Sequence, residues 1–78
     1  MADITYSVEK QIGVISSSGV WETQLNLISW NHGKPKYDLR KWNTETGKMS
    51  KGISLTKDEL VSLIDLVNDY FELRGDEE

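Results

Sequence analysis

Lys36-Tyr37-Asp38-Leu39-Arg40-Lys41-Trp42 is the stretch on which the fold turns. Successive side chains of a strand point to opposite faces. Tyr37 and Leu39 therefore share one face, and Lys36, Asp38, Arg40 and Trp42 share the other. The first pair is assigned to the core. A tryptophan two residues from an arginine on a charged face is not core patterning, so the second set is expected to form an open face.

The same period extends upstream. Tyr6, Val8, Ile12 and Val14 recur at every second position, broken by Lys10, and predict a first strand from Tyr6 to Val14. Ser16-Ser17-Ser18-Gly19 reads as a turn. Trp21 to Trp30 is a second strand, with Leu25 and Leu27 on one face and Ile28 and Trp30 on the other. Asn31-His32-Gly33-Lys34-Pro35 is turn chemistry, and Pro35 belongs at or before the start of the next strand. Downstream, Asn43 to Gly47 forms a loop. A short fourth strand follows, with Ile53 and Leu55 turned inward beside Gly52 and Ser54.

Thr56-Lys57-Asp58-Glu59 has the form of a capping box, and its two acids suit the positive end of a helix dipole. The helix is expected to run to about Leu73, with Gly75 as a stop. Leu60, Leu63, Ile64, Val67 and Phe71 fall on one stripe at about 100° per residue, and Leu66, Tyr70 and Leu73 widen it to roughly half the circumference. One small sheet face needs less than that, so the surplus argues for a homodimer. Four strands followed by one helix indicate an α+β domain with an antiparallel meander. The helix is expected to cover one sheet face and to leave the face with Trp30, Arg40 and Trp42 in search of a partner. Residues 1–75 are read as a single domain and Asp76-Glu77-Glu78 as a disordered acidic tail.

Seventy-eight residues hold one modest core, and a chain this short buries only about 60% of its unfolded surface. Without cysteine, neither a disulfide nor a thiolate-bound metal supplements that core. Dimerisation is the remaining candidate. The first ten residues contain no apolar run, so no signal peptide or membrane span is expected there, and the protein is expected in the cytoplasm, associated with the nucleoid. The net charge of −4 conceals a segregation. Residues 1–31 carry −2. Residues 32–57 hold seven cations against two anions, for +5. Residues 58–78 hold Arg74 against eight acids, for −7. A ligand meets the local field rather than the total.

Enzymatic chemistry finds no footing. His32, the one histidine, sits in a Gly/Pro turn without a carboxylate partner, so it is read as solvated. Metal-ligand spacing is absent, no cofactor is implied, and Gly47-Lys48-Met49 does not complete a phosphate loop. A single-strand surface needs aromatic rings to stack on bases, at about 1–3 kcal/mol each, and cations to follow the phosphates. Trp30 and Trp42 are the stacking candidates, joined by Trp21, for which burial in the core is the competing reading. Lys36, Arg40, Lys48 and Lys51 are the phosphate candidates, and Arg40 can also stack or donate a fork of hydrogen bonds. Lys34 and Lys41 are read as solvated charges.

The run from Lys36 to Trp42, then Gly47-Lys48-Met49-Ser50-Lys51-Gly52-Ile53-Ser54-Leu55 and a helix opening Thr-x-x-Glu, resembles the transcriptional coactivator family called positive cofactor four, in its bacterial YdbC-like branch. The resemblance spans roughly Trp21 to Tyr70. It implies a curved four-stranded antiparallel sheet plus a helix, in a dimer that binds single-stranded DNA with little sequence preference. It further implies DNA contacts from Arg40, Trp42 and Lys51, and from Trp30 with Asn31 beside it. The loop before Lys51 is shorter and less basic than in the eukaryotic pattern, and a serine-rich regulatory extension is missing.

Two functions therefore stand side by side. One is single-stranded DNA binding by a homodimer, with RNA as a variant, in transcription, replication or repair. The other is a protein-interaction adaptor that uses the tryptophan and arginine face as a hot spot or adds a strand at a sheet edge. Only the first needs the lysines.

Overall fold

The computed structural model describes residues 4–72. Four strands, β1 (Tyr6–Ser18), β2 (Trp21–Trp30), β3 (Lys36–Asn43) and β4 (Met49–Leu55), precede one helix, α1 (Lys57–Phe71). The strands form one sheet in the order β1-β2-β3-β4, each pair antiparallel. The expected meander and α+β class are therefore present.

Turn chemistry sets the connections. β1 continues to Ser18, beyond the expected Val14, because the Ser16-Ser17-Ser18 run pairs with Thr23, Glu22 and Trp21 instead of turning. Only Gly19 and Val20 make the turn. Gly19 supplies φ +59° at the first central position, the place a two-residue hairpin reserves for glycine. Between β2 and β3, Asn31 and His32 both take positive φ, and the Gly33 amide donates to the Trp30 carbonyl at 2.8 Å. Before β4, the Asn43 side-chain oxygen accepts from the amides of Glu45 and Thr46. Thr44 donates through both its amide and its hydroxyl to the Val20 carbonyl, which fastens this loop to the first hairpin.

β1 departs most from its sequence pattern. Its pairing with β2 slips at three points, between Val8 and Lys10, Gln11 and Gly13, and Val14 and Ser16. A bulge adds a residue to one strand, bends it and raises its twist. The simple alternation of Tyr6, Val8, Ile12 and Val14 is thereby re-phased: Tyr6, Val8, Gln11 and Val14 stand opposite Trp30, Ile28, Asn26 and Gln24. β4 carries a further irregularity, where Ser50 and Lys51 together face Lys41.

These irregularities curl the sheet. In a flat sheet β1 and β4 would lie about 14 Å apart. Here Ile4 and Tyr6 share one cleft with Met49, Ser50 and Lys51. The Tyr6 ring also reaches Trp42 of β3, at 6.0 Å between centroids. The concave face is the one that carries Ile28, Asn26 and Asp38, the residues most completely buried among those described. This reverses the expected assignment of faces. Tyr37 and Leu39, expected in the core, are only half-buried, and with Leu25, Leu27 and Leu55 they line the outer face. The charged face is the interior one because curvature brings its side chains over one another.

The helix also departs from expectation. Its capping box forms: Glu59 N–H donates to Thr56 Oγ1 at 3.1 Å, and Thr56 N–H donates to Glu59 Oε1 at 2.9 Å. Yet α1 touches only β3 and β4 and buries none of its residues. It extends from the end of the sheet instead of covering a face. Val61, Leu63, Ile64, Val67 and Phe71 are exposed. The radius of gyration is 14.8 Å, against about 11.5 Å for a compact domain of this length. The helix closes at Glu72, which takes a left-handed φ of 56°. The expected boundary at Leu73, the stop at Gly75 and the tail at Asp76-Glu77-Glu78 lie outside the described residues. Among those described, no helix is long and apolar enough to cross a membrane.

Gly52 stands opposite Arg40 in the β3–β4 ladder, where a Cβ would overlap Arg40 Cβ and the Leu39 carbonyl oxygen. Gly52→Ala is expected to destabilise the fold by about 1–3 kcal/mol, the cost of overpacking. The shift in urea midpoint measures it, and an unchanged midpoint refutes the close approach.

Candidate nucleic-acid interface

Asp38 anchors the concave face. It is fully buried, and the Arg40 guanidinium grips it through two bonds, Nε to Oδ1 at 2.6 Å and Nη2 to Oδ2 at 2.7 Å. Ser54 adds a third donor from β4, its hydroxyl reaching Oδ2 at 3.0 Å. The spacing that produces this pair is plain in the sequence, since residues two apart on a strand share a face. A planar fork matched to a carboxylate is the strongest geometry available to arginine. The Arg40 side chain is only 14% exposed, so it is not the solvated cation expected of an open face. Its remaining Nη1 donor reaches the Ser50 carbonyl at 3.3 Å.

Held in this way, Arg40 lies against an aromatic row. Its Cζ sits 4.8 Å from the centroid of the Trp30 ring, within cation–π range. Tyr6 stands 5.5 Å from Trp30 and 6.0 Å from Trp42, tilted to both. Trp30 and Trp42 lie far apart along the sheet ladder, and the tyrosine of β1 joins them. Both tryptophans are half-buried, and their indole Nε1 atoms are buried without a hydrogen bond. Tyr6 remains 41% exposed and was missed as a site residue, because its place depends on the three slips of β1.

A cleft of about 310 Å³ opens between Ile4, Tyr6, Trp30, Arg40, Met49 and Lys51. Lys51 is brought here by the β4 irregularity and is exposed, so it supplies the cation at the rim. Trp30, Arg40, Trp42 and Lys51 are thus gathered on one surface. The other expected residues are placed differently. Lys36 pairs with Ile28 next to Trp30 and is exposed, but it does not line the cleft. Lys48 is exposed in the β3–β4 loop, also away from the cleft.

Asn31 is engaged structurally. Its amide donates to the Thr5 carbonyl at 2.7 Å, and its side-chain oxygen accepts from the Thr5 amide at 3.0 Å. It therefore clamps the entry to β1 beneath Trp30. Trp21 is neither core nor part of the aromatic row. At 37% exposure it faces the outer side of the sheet and lines a separate cleft with Ser18, Lys41 and Ser50. Its strand position opposite Asn43 fixes that side.

A surface of aromatic rings with a cation at its rim can stack bases and follow phosphates. Among the described residues, no group of three or more histidine or acidic side chains is placed to hold a metal.

Removing the Asp38 carboxylate strands a nearly buried guanidinium. Asp38→Ala is expected to lower stability by about 3–5 kcal/mol in chemical denaturation, as breaking one side of a buried pair does. A drop in stability below about 1 kcal/mol would mean that the pair does not organise this face.

A family model described as Transcriptional Coactivator p15 (PC4) matches residues 19–66, which include β2, β3, β4 and the first part of α1. The chain is also 45% identical over 67 residues to a protein of Treponema pallidum (strain Nichols) described as uncharacterized, covering 85% of this chain and 79% of that one. The chain belongs to the family of the transcriptional coactivator p15 (PC4), a nucleic-acid-binding and non-enzymatic family.

Proposed function

We propose that this protein binds single-stranded DNA with little sequence preference, as a homodimer, through the concave faces of its two sheets. The observation that carries the reading is the row Trp30–Tyr6–Trp42 with Arg40 held against it and Lys51 at the rim. Every base has a π-face, so a stacking row accepts any sequence. Membership of the coactivator family supports the same ligand. The bacterial relative supports placing the chain in the bacterial branch. Transcription, replication and repair all expose such strands, and the cytoplasm, at the nucleoid, is where a bacterial chain meets them.

The helix supports the dimer. α1 buries no residue, exposes Leu63, Ile64, Val67 and Phe71, and among the described residues touches only β3 and β4. Helices in proteins owe most of their stability to packing of the apolar face. A second copy offers the same stripe and the half-buried outer face of Leu25, Leu27, Tyr37 and Leu39.

Three outcomes are expected. Oligo-dT quenches tryptophan fluorescence, and Tyr6→Ala weakens binding by about 1–3 kcal/mol while the circular dichroism spectrum is retained. Absence of quenching at low salt overturns the reading. Replacing Lys36, Lys48 and Lys51 with Gln flattens the plot of log K against log salt by roughly 0.7 for each phosphate that is no longer neutralised. An unchanged slope means that these lysines do not follow the phosphates, and unchanged affinity for the protein's own ligand would favour a polypeptide partner. Ile64→Glu is expected to convert a dimer into a monomer in sedimentation equilibrium, and a monomeric parent protein removes the dimer from the proposal.

A further inference from the structure

Beside the aromatic row, the concave face carries a line of amides whose orientation is dictated from one end. Glu22, Gln24 and Asn26 occupy alternate positions of β2 and so share this face. The Glu22 carboxylate only accepts hydrogen bonds. Gln24 must therefore turn its amino group toward it, and Gln24 Nε2 donates to Glu22 Oε1 at 2.9 Å. That leaves Gln24 Oε1 as an acceptor, and Asn26 Nδ2 donates to it at 3.0 Å. The chain of constraints ends with the Asn26 carbonyl oxygen. Asn26 is 2% exposed, and its Oδ1 is buried without a donor. Asp38, across the strand pair, draws its donors from Arg40 and Ser54.

A buried acceptor left unsatisfied is costly, and one in a native structure calls for an explanation. Asn26 lines a cleft of about 160 Å³ together with Val8, Gln11, Gln24 and Trp42, and its unpaired oxygen lies just beneath the accessible surface. Trp42 supplies an aromatic wall there, so a ring stacked on it brings its edge toward the amide row. Every nucleobase has an N–H donor on its Watson–Crick edge: the ring imide of thymine, the amino groups of cytosine and adenine, and both kinds in guanine. In thymine that donor is fully occupied in a duplex.

We propose that Asn26 Oδ1 accepts a hydrogen bond from the Watson–Crick edge of an unpaired base lodged against Trp42, and that this contact selects single strands over duplex. The inference rests on the single-strand reading above. It reconciles selectivity for unpaired bases with indifference to sequence, because each of the four bases has a donor on its Watson–Crick edge and that edge is open only when the base is unpaired. The fixed amide orientation makes Asn26 a specificity determinant and Glu22 its positioning residue.

The test pairs protein variants with a modified ligand. Oligo-dT and the same oligomer built from N3-methylthymine differ in the imide donor while both retain a stacking ring. The parent protein is expected to bind the methylated oligomer roughly five- to tenfold more weakly. Asn26→Leu is expected to lose the same factor on oligo-dT, to bind both oligomers equally, and to unfold at a higher temperature, since the unsatisfied carbonyl is gone. Glu22→Leu, which leaves Asn26 in place but frees the amide row to reverse, is expected to shrink the ratio between the two oligomers. That ratio is insensitive to the charge removed, and it keeps the proposal testable where Asn26→Leu fails to fold. If the parent protein binds oligo-dT but both variants keep its ratio, Asn26 is satisfied by water alone and the inference fails. If the parent protein does not bind oligo-dT, the single-strand reading itself fails.

Discussion

The forked ion pair between Arg40 and Asp38 is the constraint around which this molecule is arranged. It joins alternate positions of β3 and reaches β4 through Ser54, near Gly52, where the backbone of β3 and Arg40 Cβ leave no room for a side chain. Burying a carboxylate alone would be prohibitive. Three donors on its two oxygens make the site tolerable, and the geometry they impose places the guanidinium plane beside Trp30. A group that looks like a binding cation in the sequence is therefore also a structural tie. Its charge is largely met by Asp38, so Lys51 at the rim is the more accessible cation of the cleft.

Curvature turns this tie into a surface. Three slips in β1 and one irregularity in β4 bend the sheet until its first and last strands approach across the concave side. The bend brings Tyr6 between two tryptophans that the ladder separates, and it encloses polar atoms that a flat sheet would leave in water. Two indole N–H groups and one amide carbonyl stay unpaired among the described residues. Stacking walls and unmet hydrogen-bonding groups on one surface are the features the proposed ligand would engage.

The helix solves a different problem. Its capping box and acidic first turn define its start well, but neither buries apolar surface. The helix touches only β3 and β4, and most of its apolar residues stay exposed. The exposed stripe and the half-buried outer sheet face are complementary needs in a chain of this length. The proposed association of two copies would cover both.

Much of this was legible from the residues. Period two located all four strands, the Gly and Asn turns ended them, and Thr56 with Glu59 marked the helix start, because each signal is local chemistry. The gathering of Trp30, Arg40, Trp42 and Lys51 was also anticipated, from parity in β3 and from the family resemblance. The partner of Arg40 was within reach too, since Asp38 lies two positions away on the same face. Which face would be interior was decided only in three dimensions, by bulges whose positions depend on pairing between strands. The same pairing recruited Tyr6, turned Trp21 outward and tied Asn31 to Thr5. The sequence alone thus determined the elements and the chemical character of the site. Tertiary structure decided the curvature, and with it which polar groups are buried together, because strand register is a property of two strands and is not contained in either one.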